Sequence, residues 1–351
     1  MSSIERETLL PQFFTSLQPV IHTATAKQPD KNPSHTPSNN LSADKKNKLH
    51  KVIRTVFALC VGLSAIALSV GGYYAHQSSL RPKRTKNAQA LFQGVTYQRH
   101  IRDSPRPLVF HVITIDLTAP GIDFFVTPSV PTDGYPLSAN TVPGFLEQYG
   151  VQVAINGSYF QPHEVNSPLH YYPQVGNGVR SLGIAISEGN RYSEAKGGWA
   201  ALCILSNRNI QINKNDCPPE TQQAIAGDVQ FVKNGQPYDG LAILKNFDKY
   251  YPRSAIAINA DTTKLFMVAV DGRQKGYSEG VTLQELGEFV IELGADRALN
   301  LDGGGSTTLV TSNPSGQPVL LNAPIQARIP VNLRVVANHL GVRANPLKSS
   351  D

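Results

Sequence analysis

The chain has 351 residues, an ordinary 40% hydrophobic share and a formal net charge of +6. It is long enough to bury a sizeable core, as one large or two ordinary domains. The positive charge is confined to one end: residues 1–90 hold 12 Lys/Arg against 4 Asp/Glu and the remainder 20 against 22, which excludes a basic nucleic-acid groove in the main body.

Residues 1–54, rich in Ser, Thr, Pro, Asn and Lys, read as a disordered basic tail. Residues 55–75 carry no charge, and about 20 apolar residues suffice to cross a bilayer as a helix. Tyr73 and Tyr74 stand where an aromatic interface belt belongs, and the basic run at 45–54 marks a cytoplasmic flank. A second basic run at 81–86 weakens the orientation signal. The alternatives are a core helix and a cleaved signal peptide; the latter has too long a leader and no good A-x-A site. Residues 76–90 read as a linker and 91–345 as the folded domain.

Within that domain, 108–117 and 122–127 read as strands joined by a Thr-Ala-Pro-Gly turn. Residues 141–149 read as a short helix and 151–155 as a buried strand. A polar loop follows at 161–180, then strands at 181–187, 199–205 and 224–232. Residues 254–259 and 264–270 form a hairpin around Ala260-Asp261-Thr262-Thr263. The clearest helix is 282–293, where Leu283, Leu286, Phe289, Val290 and Leu293 recur at helical spacing. Thr282 and Glu285 form a capping-box pattern at its start and Gly294 stops it. Strands at 297–301, 306–311 and 331–337 complete the chain. The fold class is α+β: a mixed β-sheet core flanked by helices, preceded by a single N-terminal transmembrane helix. Of three cysteines, Cys60 lies in the apolar span. Cys203 and Cys217 either pair, worth ~3 kcal/mol, or stay free; neither lies in a zinc-type spacing.

Chemistry concentrates in Asn300-Leu301-Asp302-Gly303-Gly304-Gly305-Ser306. Three glycines between two strands are costly in backbone entropy and imply close approach to the backbone. No Walker lysine follows, and the turn leads into a β-like run, not a helix. Successive N–H groups of such a turn can face an anion; a ligand-free tight turn is the plain alternative. Arg253 and Arg273 suit phosphate, because a guanidinium grips two oxygens at once, although a single arginine is more often a surface ion-pair partner. Asp271 and Asp302 also suit ordinary turns, and Glu285 suits its cap.

Asn156-Gly157-x-Tyr159-Phe160, Pro252-Arg253-Ser254-Ala255, Val270-Asp271-Gly272-Arg273, Thr282-Leu283-x-Glu285-Leu286 and Asn300–Ser306, in this order and spacing, resemble the phosphodiester glycosidase family over roughly residues 105–340, the span of one domain. Ser158 and Ser254 depart from the family pattern, where Gly and Thr are usual; both changes are small. The resemblance implies hydrolysis of a sugar-1-phosphodiester between sugar and phosphate. Such chemistry needs carboxylates, for which Asp302, Asp271 and Glu285 are the candidates. It needs a phosphate cradle, for which Arg253, Arg273, Gly303, Gly304, Gly305 and Ser306 are available. Asn156 and Asn300 suit sugar hydroxyls, and Tyr159 or Phe160 the sugar face.

The expected protein is therefore a membrane-anchored hydrolase of extracytoplasmic glycan phosphodiesters, held through residues 55–75 with its N-terminus cytoplasmic (periplasmic catalytic domain in a bacterium). The sequence identifies no cofactor and leaves a metal requirement open; Asp302 and Asp271 with backbone carbonyls can hold Ca²⁺ or Mg²⁺. The rival expectations are a non-catalytic glycan-binding module on a tether and a Ca/Mg-dependent phosphodiesterase.

Overall fold

The computed structural model describes residues 40–167, 170–243 and 247–348; the first 39 residues of the expected disordered tail lie outside them. Compact units divide at Ser64 and Ala65. A single helix, Asn40–Ser79, contains the apolar span. It is long and apolar enough to cross a membrane, a test that a signal sequence also passes. Leu63 and Leu68 are 66% and 77% exposed along it. The strand Asn87–Phe92 begins inside the expected linker.

Among the described residues three large antiparallel sheets carry most of the rest, beside a three-stranded sheet of Leu137–Ser138, Gly178–Ser181 and Phe160–Gln161 and two two-stranded ones. The first has eight strands, in the order Asn87–Phe92, Val95–Arg102, Leu108–Asp116, Lys264–Val270, Arg253–Ile258, Arg297–Asn300, Val229–Lys233 and Gln236–Pro237. The second has five: Pro318–Leu320, Leu309–Ser312, Val153–Asn156, His339–Arg343 and Asp123–Val126. The third also has five: Asn190–Ser193, Ala185–Ser187, Thr221–Gly227, Ala200–Leu205 and Ile210–Lys214. The expected mixed sheet is thus corrected. Every strand pair in these sheets runs antiparallel, and where neighbours follow one another in sequence, as Arg253–Ile258 and Lys264–Val270 do, a short hairpin imposes it.

Alternation along the strands explains the layering. Ile256, Ile258, Leu265, Met267 and Leu299 of the first sheet meet Val153, Ile155, Leu309 and Leu340 of the second and Leu202, Ile212 and Ile225 of the third in one core. The intervening residues Ala255, Ala257, Phe266, Val268 and Ala298 face the opposite way, onto Leu286, Phe289 and Val290 of the helix Leu283–Glu292. That helix starts at a complete Thr282–Glu285 capping box, and Gly294 follows it at φ +93°. The second sheet's outer face is covered by the helix Val142–Tyr149, capped by Thr141. Each fully buried Leu or Ile contributes ~1.5–3 kcal/mol, so a sheet covered on both faces is a rigid platform for groups at its strand ends.

Several expected elements differ. The loop 161–180 contains a small hairpin, Glu164–Ser167 with His170–Tyr172. The strand expected at 306–311 starts only at Leu309, after a 3₁₀ turn at Gly304–Ser306. Residues 331–337 form isolated bridges, and the last strand is His339–Arg343. The run 224–232 breaks at Asp228: Thr221–Gly227 belongs to the third sheet and Val229–Lys233 to the first. Cys203 and Cys217 form a disulfide closing 14 residues of sequence.

Candidate active site

The ends of the first and second sheets are laced together at one place. Leu301 N donates to Ser254 O at 2.9 Å and Asp302 N to Gly157 O at 3.2 Å. Asn156, ending its strand, donates through Nδ2 to the Asp302 carbonyl at 2.6 Å. Its Oδ1 accepts from Ser254 Oγ at 2.7 Å and Thr308 N at 3.2 Å. The backbone carrying Asp302 is therefore held from both sheets.

Above this seam lies a cavity of about 220 Å³, lined by Tyr159, Asp228, Tyr251, Arg253, Arg273, Asn300, Asp302, Gly303, Gly304, Gly305 and Arg334 among others. A larger hollow of about 300 Å³ near Leu117 and Phe124 has only surface charges, Asp123, Glu188 and Arg208. The seam cavity is distinguished by buried charge.

Close packing explains the three glycines. A Cβ on Gly303 would lie 2.8 Å from the Pro252 carbonyl oxygen. Gly304 has φ +62° and lies against the Arg273 guanidinium, where a Cβ would sit 3.3 Å from Nη1. A Cβ on Gly305 would sit 2.5 Å from both Arg334 Nη2 and Gln326 Oε1. The turn is thin so that two arginines can press against it. Its amides are partly spent internally, with Gly304 N bonded to Pro252 O and Ser306 N to Gly303 O. Guanidiniums, more than turn amides, thus supply the positive potential.

The carboxylates are held by neutral donors. Asp228 accepts from Asn300 Nδ2 at 2.8 Å and Tyr159 OH at 3.2 Å, yet burial pushes its proton affinity above the ordinary carboxylate range. Asp302 accepts from Ser306 Oγ at 2.6 Å. Burial pushes its carboxyl up to about 6, outweighing the Ser306 bond and the nearby Arg334. Burial, with Asp228 and Asp302 close by, raises the Tyr159 phenol well above its usual value, so it stays a neutral donor. Arg253 Nε donates to Val281 O at 3.0 Å. Arg334 Nε bonds Gln326 Oε1 at 2.8 Å and its Nη1 bonds Ser306 Oγ at 3.3 Å. Arg273 stacks 4.6 Å over the Tyr251 ring; among the described residues no carboxylate pairs with it.

Asp302, Tyr159, Arg253, Arg273, Asn300 and Gly303–Gly305 come together in the cavity. Asp271, Glu285, Asn156 and Ser306 do not line it. Asp271 is fully buried behind it, bonded to His111 Nε2 at 2.9 Å, Asn322 Nδ2 at 3.1 Å and Ala323 N at 2.9 Å. Glu285 is engaged by Thr282 N and paired with Arg106. Asn156 spends its amide on the seam, and Ser306 its hydroxyl on Asp302. These four, expected at the site, lie outside the cavity lining, and each has polar partners within the protein. Asp228, Tyr251 and Arg334 are cavity residues that sequence reading missed. Gly227-Asp228 was the available signal for the first, since a Gly-Asp pair interrupts a strand pattern.

Among the described residues no group of three or more His, Cys, Asp or Glu side chains is placed to hold a metal ion.

Fold and site together define an antiparallel α+β protein with an acid- and arginine-lined cleft at its sheet ends. Residues 149–343 match the phosphodiester glycosidase family model. That is more than half of the chain, and the chain belongs to this family of hydrolases. Among solved structures it is similar to a hypothetical protein from Synechocystis, with TM-score 0.53 and 16% identity over 75% of this chain; it spans only 64% of that structure's length. It is also similar to the catalytic domain of zebrafish N-acetylglucosamine-1-phosphodiester alpha-N-acetylglucosaminidase, auto-inhibited by its pro-peptide. There the TM-score is 0.51 and the identity 20%, over 76% of this chain and 92% of that one. No curated protein sequence matches.

Proposed function

We propose that this hydrolase cleaves the bond between the anomeric carbon and the phosphate oxygen of a sugar-1-phosphodiester. The reading is carried by one observation: the buried carboxylate of Asp302 and the half-buried one of Asp228 share a cavity with Arg253 and Arg273. The fold likeness to a sugar-1-phosphodiester hydrolase agrees with it. Arg253 and Arg273 grip the phosphodiester, and the sugar lies against Tyr159 and Asn300. Water attacks the anomeric carbon and gives its proton to Asp302; the C–O bond breaks and the phosphomonoester leaves as an anion. A base of pKa about 6 is well matched to neutral pH. Asp228 stabilises the oxocarbenium-like transition state. The arginines neutralise the departing phosphate, so strong general-acid help is unnecessary.

The helix Asn40–Ser79 anchors the protein, with the N-terminus cytoplasmic and the hydrolase domain outside. The Cys203–Cys217 disulfide supports that side, because disulfides persist in oxidising compartments. Retention in the membrane pellet after alkaline carbonate extraction is the expected outcome; release of a shortened protein overturns the anchor. For the reaction, a panel of sugar-1-phosphodiesters is hydrolysed in ¹⁸O water. Label in the free sugar is expected, and label in the phosphate overturns the glycosidic cleavage.

A further inference from the structure

A second hollow adjoins the proposed active site. It is larger, about 350 Å³, and the two share one lining residue, Asp228. Its walls combine apolar surface from Val229 and Tyr238 with two lysines, Lys214 and Lys233. Both lysines are exposed, and among the described residues neither ammonium has an ion-pair partner. Lys214 is the cross-strand neighbour of Ala200. Beside Ala200 stands the chain's single tryptophan, Trp199. Its ring meets the Tyr159 ring edge-on at 5.5 Å and carries Lys196 Nζ 4.1 Å above it.

The region beyond residue 90 has no excess of basic residues, so two lysines from the ends of different strands meeting at one hollow are not a consequence of composition. Asp228 is the only carboxylate lining the hollow among the described residues, and Asn300 and Tyr159 already occupy it. Unpaired ammonium groups beside an aromatic and apolar wall suit a sugar ring followed by an anion. Since the first cavity already accommodates one phosphodiester with its arginines, the anion here is a second one on the same ligand.

We infer that the hollow at Lys214, Lys233 and Tyr238 is a subsite for the neighbouring repeat of the substrate, and that the substrate class is a polymer of sugar phosphates rather than a single-phosphate conjugate. The inference rests on the phosphodiester glycosidase reading of the adjoining cavity.

Two synthetic ligands test it: a sugar-1-phosphodiester with a methyl aglycone, and its dimer with two phosphodiester links. The dimer is expected to have about tenfold higher kcat/KM, the scale of two partly screened ion pairs. Lys214→Ala with Lys233→Ala brings that ratio close to one, and the paired Arg replacements, which keep the charge, restore it. A ratio near one in the wild type, or one unaffected by the alanines, overturns the subsite. A wild type that hydrolyses neither ligand overturns the glycosidase reading instead. Calorimetric binding to the Asp302→Asn protein then decides the subsite alone: tighter binding of the dimer, lost with the two lysines, supports it, and equal binding of both ligands overturns it.

Discussion

Asn156 and Asp302 are 146 residues apart in sequence, and the Asn156 amide is bonded to the Asp302 carbonyl at 2.6 Å. The same side chain accepts from Ser254 and Thr308, so one buried amide joins two sheets directly beneath the proposed base. Asn156→Ala strands three buried polar groups, and each unsatisfied group costs roughly 1–3 kcal/mol. The expected result is a clear fall in denaturant midpoint together with a fall in kcat at nearly constant KM. An unchanged midpoint with a raised KM would identify Asn156 as a sugar contact instead.

Asp302 links activity to pH. As a base it must be ionised, so kcat/KM should rise with pH through about 6 and level off above. Asp302→Asn is expected to lower kcat by at least ~10² and to remove that limb. Stability runs the other way. Its folded pKa lies above its unfolded value, so the native form binds the proton more tightly. The carboxyl's contribution is complete below about 3.8 and is lost as pH rises through about 6. The ionised form is disfavoured by on the order of 3 kcal/mol, so Asp302→Asn at pH 8 should melt no lower than the wild type. Paired pH–rate profiles and thermal melts check both signs.

Arg273 differs from the two other cavity arginines. Arg253 and Arg334 make hydrogen bonds within the protein, whereas the Arg273 guanidinium stacks on Tyr251. Arg273→Ala should therefore raise KM for a phosphodiester about 10-fold or more, the scale of a lost charge-assisted hydrogen bond. The melting temperature should change little. Arg273→Lys should recover only part, because an ammonium lacks the bidentate fork. Steady-state kinetics on one phosphodiester substrate provide the measurement.

Local signals reached much of this architecture. The capping box of Thr282 and Glu285 and the hairpin of 254–259 and 264–270 around Ala260-Asp261-Thr262-Thr263 are short-range patterns, and the structure realises both. The glycine run marked Asp302 because backbone crowding leaves a compositional trace. Asp228 left a weaker one: its run is apolar on both sides, and the crossing from one sheet to another there is a tertiary event. Arg334 lies in a segment whose alternation mimics a strand, yet isolated bridges hold it. Asp271 and Asp302 look alike in sequence, each closing an apolar strand before glycine. Their partners separate them, and Asp271's partners lie 160, 51 and 52 residues away.

That difference yields a last expectation. Asp271 has no face on the cavity; His111, Asn322, the Ala323 amide and the Tyr277 hydroxyl surround its carboxylate. His111 Nδ1 is in turn 2.8 Å from the Tyr97 hydroxyl. The carboxylate thus closes a buried network at the root of the turn that presents Arg273. Removing one partner of such a network strands the others in a medium where desolvation is not recovered. Asp271→Ala should cost ~3–5 kcal/mol of stability, read as a large drop in denaturant midpoint. Activity per folded molecule should survive better than in Asp302→Asn. A folded Asp271→Ala protein with wild-type stability and no turnover would instead put Asp271 among the reacting groups.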